Sequence, residues 1–152
     1  MKLSILLVVL LLAFSCKESN MNQTIAFRLK PGEDLKNGIE RVVLENKIQA
    51  GWIITAVGSL TDYHIRFANQ AAGTKNSGHF EIVSLTGTLG MAGNHIHIAV
   101  SDSTGKTIGG HLLEDNKVYT TAEIVIGISG IYKFSRENDG STPWKELQIN
   151  KQ

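Results

Sequence analysis

Asn94-His95-Ile96-His97-Ile98-Ala99-Val100-Ser101-Asp102 runs into Ser103-Thr104-Gly105-Lys106, and Thr107-Ile108-Gly109-Gly110-His111-Leu112 leads away again. A three-residue hairpin loop with glycine in its left-handed last place is a favoured connection, and Gly105 stands there after Ser103 and Thr104. Counting back from that loop sets Asp102 opposite Lys106, Val100 opposite Ile108 and His97 opposite His111. Side chains alternate along a strand, so His95 and His97 share a face ~6.6 Å apart. Directly opposite residues also share a face, which brings His111 to the same side. The other side then collects Ile96, Ile98, Val100, Ile108 and Leu112. A slip of one residue would put His111 among the isoleucines. Turn chemistry and hydrophobic pattern therefore agree on an antiparallel hairpin with one apolar face and one histidine face.

Working outward from the hairpin, the chain reads as further short strands around a single helix. Ile25, Phe27 and Leu29 alternate with Thr24, Ala26, Arg28 and Lys30, a strand with one buried face. Pro31-Gly32 ends it. Glu33-Asp34 opens a helix by capping and by the dipole, and Leu35, Ile39, Val42 and Val43 form its apolar stripe. Gly51 closes the helix or starts the next connection. Trp52–Val57 is nearly all apolar, which predicts a central strand covered on both faces. Tyr63–Ala68 alternates, and Asn69–Gly78 reads as a polar loop. Phe80–Leu85, Thr86–Met91, Val118–Ile126 and Gly130–Ser135 follow as strands. Glu137–Thr142 reads as a loop, and Trp144–Ile149 as a last strand or a loosely packed end. One helix against a large, mostly antiparallel sheet is an α+β arrangement.

The first residues read as an address. Leu3 through Phe14 is an apolar run of 12 broken by Ser4, after the basic Met1-Lys2. Spanning a bilayer takes about 20 residues, so the run has the size of a secretory signal instead. Ala13-Phe14-Ser15-Cys16 resembles a bacterial lipobox, in which the cysteine takes lipid and becomes the N-terminus; an ordinary signal peptide with an incidental cysteine is the alternative. The organisation expected is a signal peptide over 1–15, a lipidated Cys16 with its tether over 16–23, a domain over 24–136 and a C-terminal extension over 137–152. Localisation follows: the cell envelope, lipid-anchored, periplasmic or on the outer-membrane surface. Two or more acyl chains would hold the protein at the membrane.

Composition removes several classes. The chain has 152 residues, 42% of them hydrophobic, and a formal charge of +1. That balance excludes an all-disordered chain. A single cysteine excludes an internal disulfide framework and a zinc site of paired cysteines. Loss of residues 1–15 removes Lys2 from 15 basic residues and no acid, leaving 14 against 14 acidic. A neutral surface argues against nucleic-acid binding. Neither a glycine-rich phosphate loop nor a serine nucleophile elbow is present.

Chemistry concentrates in the histidines. His95, His97 and His111 on two adjacent strands suit a Zn²⁺ tripod with a fourth position open to water or substrate; hydrogen-bonded histidines on a half-buried sheet face are the alternative. Gly109-Gly110 would allow close approach of another chain or a ligand. Glu81, in Phe80-Glu81-Ile82, is a candidate general base near a metal, or else a structural ion-pair partner. His64 and His79 stand alone.

Two stretches carry a family resemblance. Gly78-His79-Phe80-Glu81-Ile82-Val83-Ser84-Leu85-Thr86-Gly87-Thr88-Leu89 resembles the strand signature of the PPC domain, the plants-and-prokaryotes-conserved domain. Asn94–Asp102 followed by Gly109-Gly110-His111-Leu112 resembles its prokaryotic histidine core, and Phe27–Gly58 with Ala56-Val57-Gly58-Ser59-Leu60 fits its opening. The likeness spans roughly Thr24 to Ser135. It implies an α+β sandwich around an antiparallel sheet, a homotrimer, and a metal or ligand site at His95, His97 and His111. Plant members act on AT-rich DNA through an Arg-Gly-Arg hook; here an export signal stands in its place. The expectation is thus an exported, lipid-anchored, PPC-like homotrimer binding a metal ion or an unidentified small molecule, with a zinc-dependent hydrolase as the alternative and no nucleic-acid partner.

Overall fold

The structure is a computed structural model that describes residues 23–152. The signal reading of 1–15, Cys16 and all of the tether but Gln23 lie outside the described residues. Strand β1 (Gln23–Leu29) leads to helix α1 (Leu35–Glu45), then to β2 (Gly51–Arg66) and β3 (Thr74–Leu89). The hairpin β4 (His95–Ser101) and β5 (Thr107–Leu112) follows, then β6 (Val118–Ile128), β7 (Tyr132–Glu137) and β8 (Glu146–Lys151). The fold is a mostly antiparallel sheet with one short helix. No helix among the described residues is long and apolar enough to cross a membrane.

Helix α1 forms where its caps and stripe require it. Asp34 takes the N-cap, and its Oδ1 accepts the Asn37 amide at 2.9 Å. Its other oxygen accepts the backbone amide of the fully buried Asn116 at 2.9 Å. The Asn116 side chain in turn donates to the carbonyls of His64 and Leu113 and accepts the His64 amide. One carboxylate thus ties the helix start to β2 and to the corner between β5 and β6. Leu35, Ile39, Val42 and Val43 are buried, each worth roughly 1.5–3 kcal/mol relative to exposure. The helix stops at Asn46, where Lys47 turns left-handed at φ 50°, so Gly51 begins β2 and does not close the helix.

Six strands order as β1-β6-β2-β3-β4-β5, and the far end of β2 also pairs with β5. The sheet therefore curls back on itself. Strand β2 is the axis of this curl, since its 16 residues pair with β6, β3 and β5. Trp52–Val57 and Tyr63–Arg66, expected as parts of separate strands, belong to one strand bent by register shifts, and Phe67 and Ala68 lie beyond its end. At the Gly58–Leu60 shift against β6, Gly58 has φ +149°, and a Cβ there would lie 2.2 Å from the Thr121 carbonyl oxygen. Nor is Trp52–Val57 covered on both faces: Ile54 and Val57 are more than half exposed. The stretch expected as a polar loop over Asn69–Gly78 is shorter too. Thr74, Lys75 and Asn76 already pair with Ile65, His64 and Tyr63, and β3 continues unbroken to Leu89. Polar side chains there mark exposure, not absence of pairing.

The β4–β5 hairpin keeps the expected register: His97 opposite His111, Val100 opposite Ile108. Gly105 is left-handed at φ +84°, and its amide donates to the Asp102 carbonyl at 3.0 Å. Ile96, Ile98, Val100 and Leu112 are buried in the hydrophobic core with Leu29, Ile39, Leu60, Ile65, Leu89, Ile124 and Ile126. Strands β7 and β8 form a separate two-stranded sheet. It is fastened to the main body where the Phe134 amide donates to the Gln49 carbonyl at 2.9 Å.

A three-histidine candidate site

The outer face of the β4–β5 hairpin carries His95, His97 and His111, with the isoleucines beneath. His95 Nε2 lies 3.1 Å from His111 Nδ1 and 3.2 Å from His97 Nε2. The rings of His95 and His111 stack at 9°, while His97 stands edge-on to both. One nitrogen from each residue lies within 4.8 Å of the others. Three ring nitrogens turned onto one another either share protons in N–H···N hydrogen bonds or, with the facing nitrogens unprotonated, present their lone pairs to a cation between them. The donor set fits a metal of the kind that imidazole prefers, such as zinc, copper, nickel or iron.

The charge state of His95 and His111 suits the same role. Burial holds His95 below the usual histidine range, helped by His97, Arg136 and Arg66 and opposed by Glu146. Burial likewise lowers His111, with Arg66, His97 and His95 adding to it. Neutral imidazole is the form that binds a metal. Beside the rings is a shallow hollow of about 270 Å³ lined by Thr86, Gly87, Thr88, His95 and His97.

Glycines let the backbones close in around this face. A Cβ on Gly110 would lie 2.5 Å from the Arg66 carbonyl oxygen, and one on Gly109 would lie 2.8 Å from that of Ile98. The close approach expected at Gly109-Gly110 is therefore made by β4 and β2 of the same chain. That closure sets Arg66 opposite His111.

The remaining candidates lie elsewhere. Glu81 pairs with Ser101 on one side and Ser59 on the other. That is four residues along the ladder from His97, about 13 Å at strand rise, and the structure does not bring Glu81 to the histidines. His64 Nδ1 meets the Glu114 carbonyl at 2.9 Å. His79 packs on Tyr119 with ring centroids 4.4 Å apart. Neither joins the cluster. The sequence reading overlooked three neighbours of the site. Thr88 stands opposite His95, and its Oγ1 accepts from Arg136 Nη2 at 3.0 Å. Arg66 is the third. The His-x-His spacing could have led to Thr88 through the ladder, but nothing local to Arg66 or Arg136 announces them.

Similar proteins share this architecture. The bifunctional protein GlmU of Synechococcus sp. (strain JA-3-3Ab) is 45% identical over 124 residues, 82% of this chain. The chain spans only 20% of that relative's length. A hypothetical protein from Salmonella cholerae-suis superposes with a TM-score of 0.85 at 39% identity, over 88% of this chain and 97% of the other. A metal-containing protein from Archaeoglobus fulgidus gives a TM-score of 0.69 at 28% identity, over 83% and 93% respectively. Two neighbours with DNA-binding names, both at 20% identity, attest the fold alone. The profile of one family matches residues 16–130, three quarters of the sequence, with the histidine face inside the match. The chain belongs to the Plants and Prokaryotes Conserved (PCC) domain family.

Proposed function

We propose that this PCC-domain protein is exported, anchored by lipid at Cys16, and assembled as a homotrimer that holds a metal ion or a small ligand at His95, His97 and His111. The observation that carries the site is the convergence of three ring nitrogens within 4.8 Å on a face whose reverse is buried core. The Archaeoglobus relative described as metal-containing supports a metal, and zinc is the ion we propose. A bound ion would supply a Lewis-acid centre with a position left for water or a ligand. The chain's own part is to hold the three imidazoles fixed, through the hairpin register and the core under it.

Ala13-Phe14-Ser15-Cys16 after a 12-residue apolar run supports export and lipidation. Exposed Ile54, Val57, Val83 and Tyr119 on the neighbouring strands β2, β3 and β6 are apolar side chains that an assembly would bury. The DNA-binding names of distant neighbours are not extended to this chain, whose mature part balances 14 basic against 14 acidic residues. Nor is an activity of the much longer GlmU relatives. With Glu81 apart from the histidines, no general-base role is proposed for it.

Elemental analysis of the full-length chain, purified in detergent without a histidine tag, tests the site. About one transition-metal ion per chain is expected. His97→Ala should lose it and His64→Ala should keep it. Because His95 and His111 have lowered pKa values in the fold, both stay neutral as pH falls through the ordinary histidine value of about 6.5, and protons displace the metal only below it. Absence of tight metal, or equal loss in His64→Ala, would refute the metal centre.

A further inference from the structure

Two guanidinium groups flank the histidine row from opposite ends. Arg66 on β2 pairs in register with His111 on β5 and so shares its face. Arg136 on β7 donates through Nη2 to Thr88 Oγ1, and Thr88 stands directly opposite His95. Neither arginine takes part in an ion pair among the described residues; the five ion pairs there all involve other cations. The Nε of Arg136 is buried without any hydrogen-bond partner. Arg66 spends one donor on the Gln70 carbonyl, at a long 3.3 Å. Glu146, a carboxylate in this neighbourhood, accepts the Thr142 hydroxyl through Oε1 and makes no ion pair with either arginine.

An unpaired, partly buried guanidinium is costly, and an anion beside it would relieve that cost. Guanidinium is the donor best matched to carboxylate and phosphate oxygens, because its planar fork meets two of them at once. Thr88, already oriented by Arg136, lines the hollow beside His95 and His97. That hollow of about 270 Å³ falls below the ~300–1,000 Å³ typical of drug-sized ligands, so it takes a small molecule.

We propose that the molecule received at this face is a small oxyanion, a carboxylate or phosphate, whose charge is taken by Arg66 and Arg136. The inference deepens the reading of the histidine face as a binding site. Binding of inorganic phosphate, acetate and neutral acetamide to the full-length protein in detergent, by titration calorimetry, tests it with and without metal. Phosphate or acetate should bind and acetamide should not. Arg66→Gln and Arg136→Gln should each weaken the anion about tenfold or more, the cost of one charge-assisted pair. Both should leave metal content unchanged, and Lys106→Gln, on the exposed hairpin turn, should bind as the wild type does. Arg66→Gln alone decides if Arg136→Gln fails to fold. Acetamide binding equal to acetate, or anion binding indifferent to Arg66, would overturn the proposal. Anion binding that needs Arg66 in a protein that takes up no metal would uphold it and sink the metal centre instead.

Discussion

Two hairpins of similar strand length occupy opposite conditions in this molecule. Strands β4 and β5 are joined by a tight turn with left-handed Gly105, and one face of the pair is buried core. Strands β7 and β8 are joined by a long connection through Gly140 and Pro143, and they leave Trp144 at 69% and Ile149 at 61% exposed. The first hairpin has its register fixed twice, by the turn and by the isoleucines. The second is held by attachments near its edge: the Phe134 amide on Gln49 and Arg136 on Thr88. A buried face makes a ladder specific. An exposed ladder has to borrow its place from neighbours.

Substitutions in each hairpin can break or sharpen that contrast. Ile98→Ala, at 2% exposure under the histidines, should cost about 2–5 kcal/mol in chemical denaturation and loosen metal binding with it. A cost below about 1 kcal/mol would mean that the core does not fix the hairpin. Gly105→Ala meets no neighbouring atom but keeps φ +84°, so it should cost only about 1–2 kcal/mol, the strain of one residue in that region. A larger loss would show that the turn, not the apolar face, sets the register. Smallest of all should be Ile149→Ala on β8, within about 0.5 kcal/mol as for most surface positions. A loss comparable with Ile98→Ala would show that the C-terminal pair buries Ile149 against something in solution.

The same contrast explains how much could be read from sequence. The β4–β5 register, the histidine face and α1 were all legible, because turn, cap and stripe are signals within a few residues. Strand β2 was not, since its unity depends on a bend at Gly58 that only the Thr121 carbonyl across the ladder explains. Its exposed Ile54 and Val57 have the composition of buried residues, and only the position of β2 in the sheet reveals that they face out. Arg66 and Arg136 were equally invisible. One reaches the site through the β2–β5 closure and the other through a bond to Thr88, 48 residues away in sequence. Half of the candidate site is local chemistry; the other half is topology.

Asp34 has a consequence for the order in which the molecule assembles. Its sequence signal is local, yet one of its oxygens serves Asn116, 82 residues further along. That partner is itself positioned by His64 and Leu113, so it takes its place only when β2 and the exit of β5 are together. Closing so long a loop costs entropy that neighbouring contacts must offset first. The helix can therefore flicker into existence early and still be secured late. Once docked, its first turn opens only when that distant corner opens, so its amides exchange hydrogen on the timescale of the whole sheet and not of a frayed end.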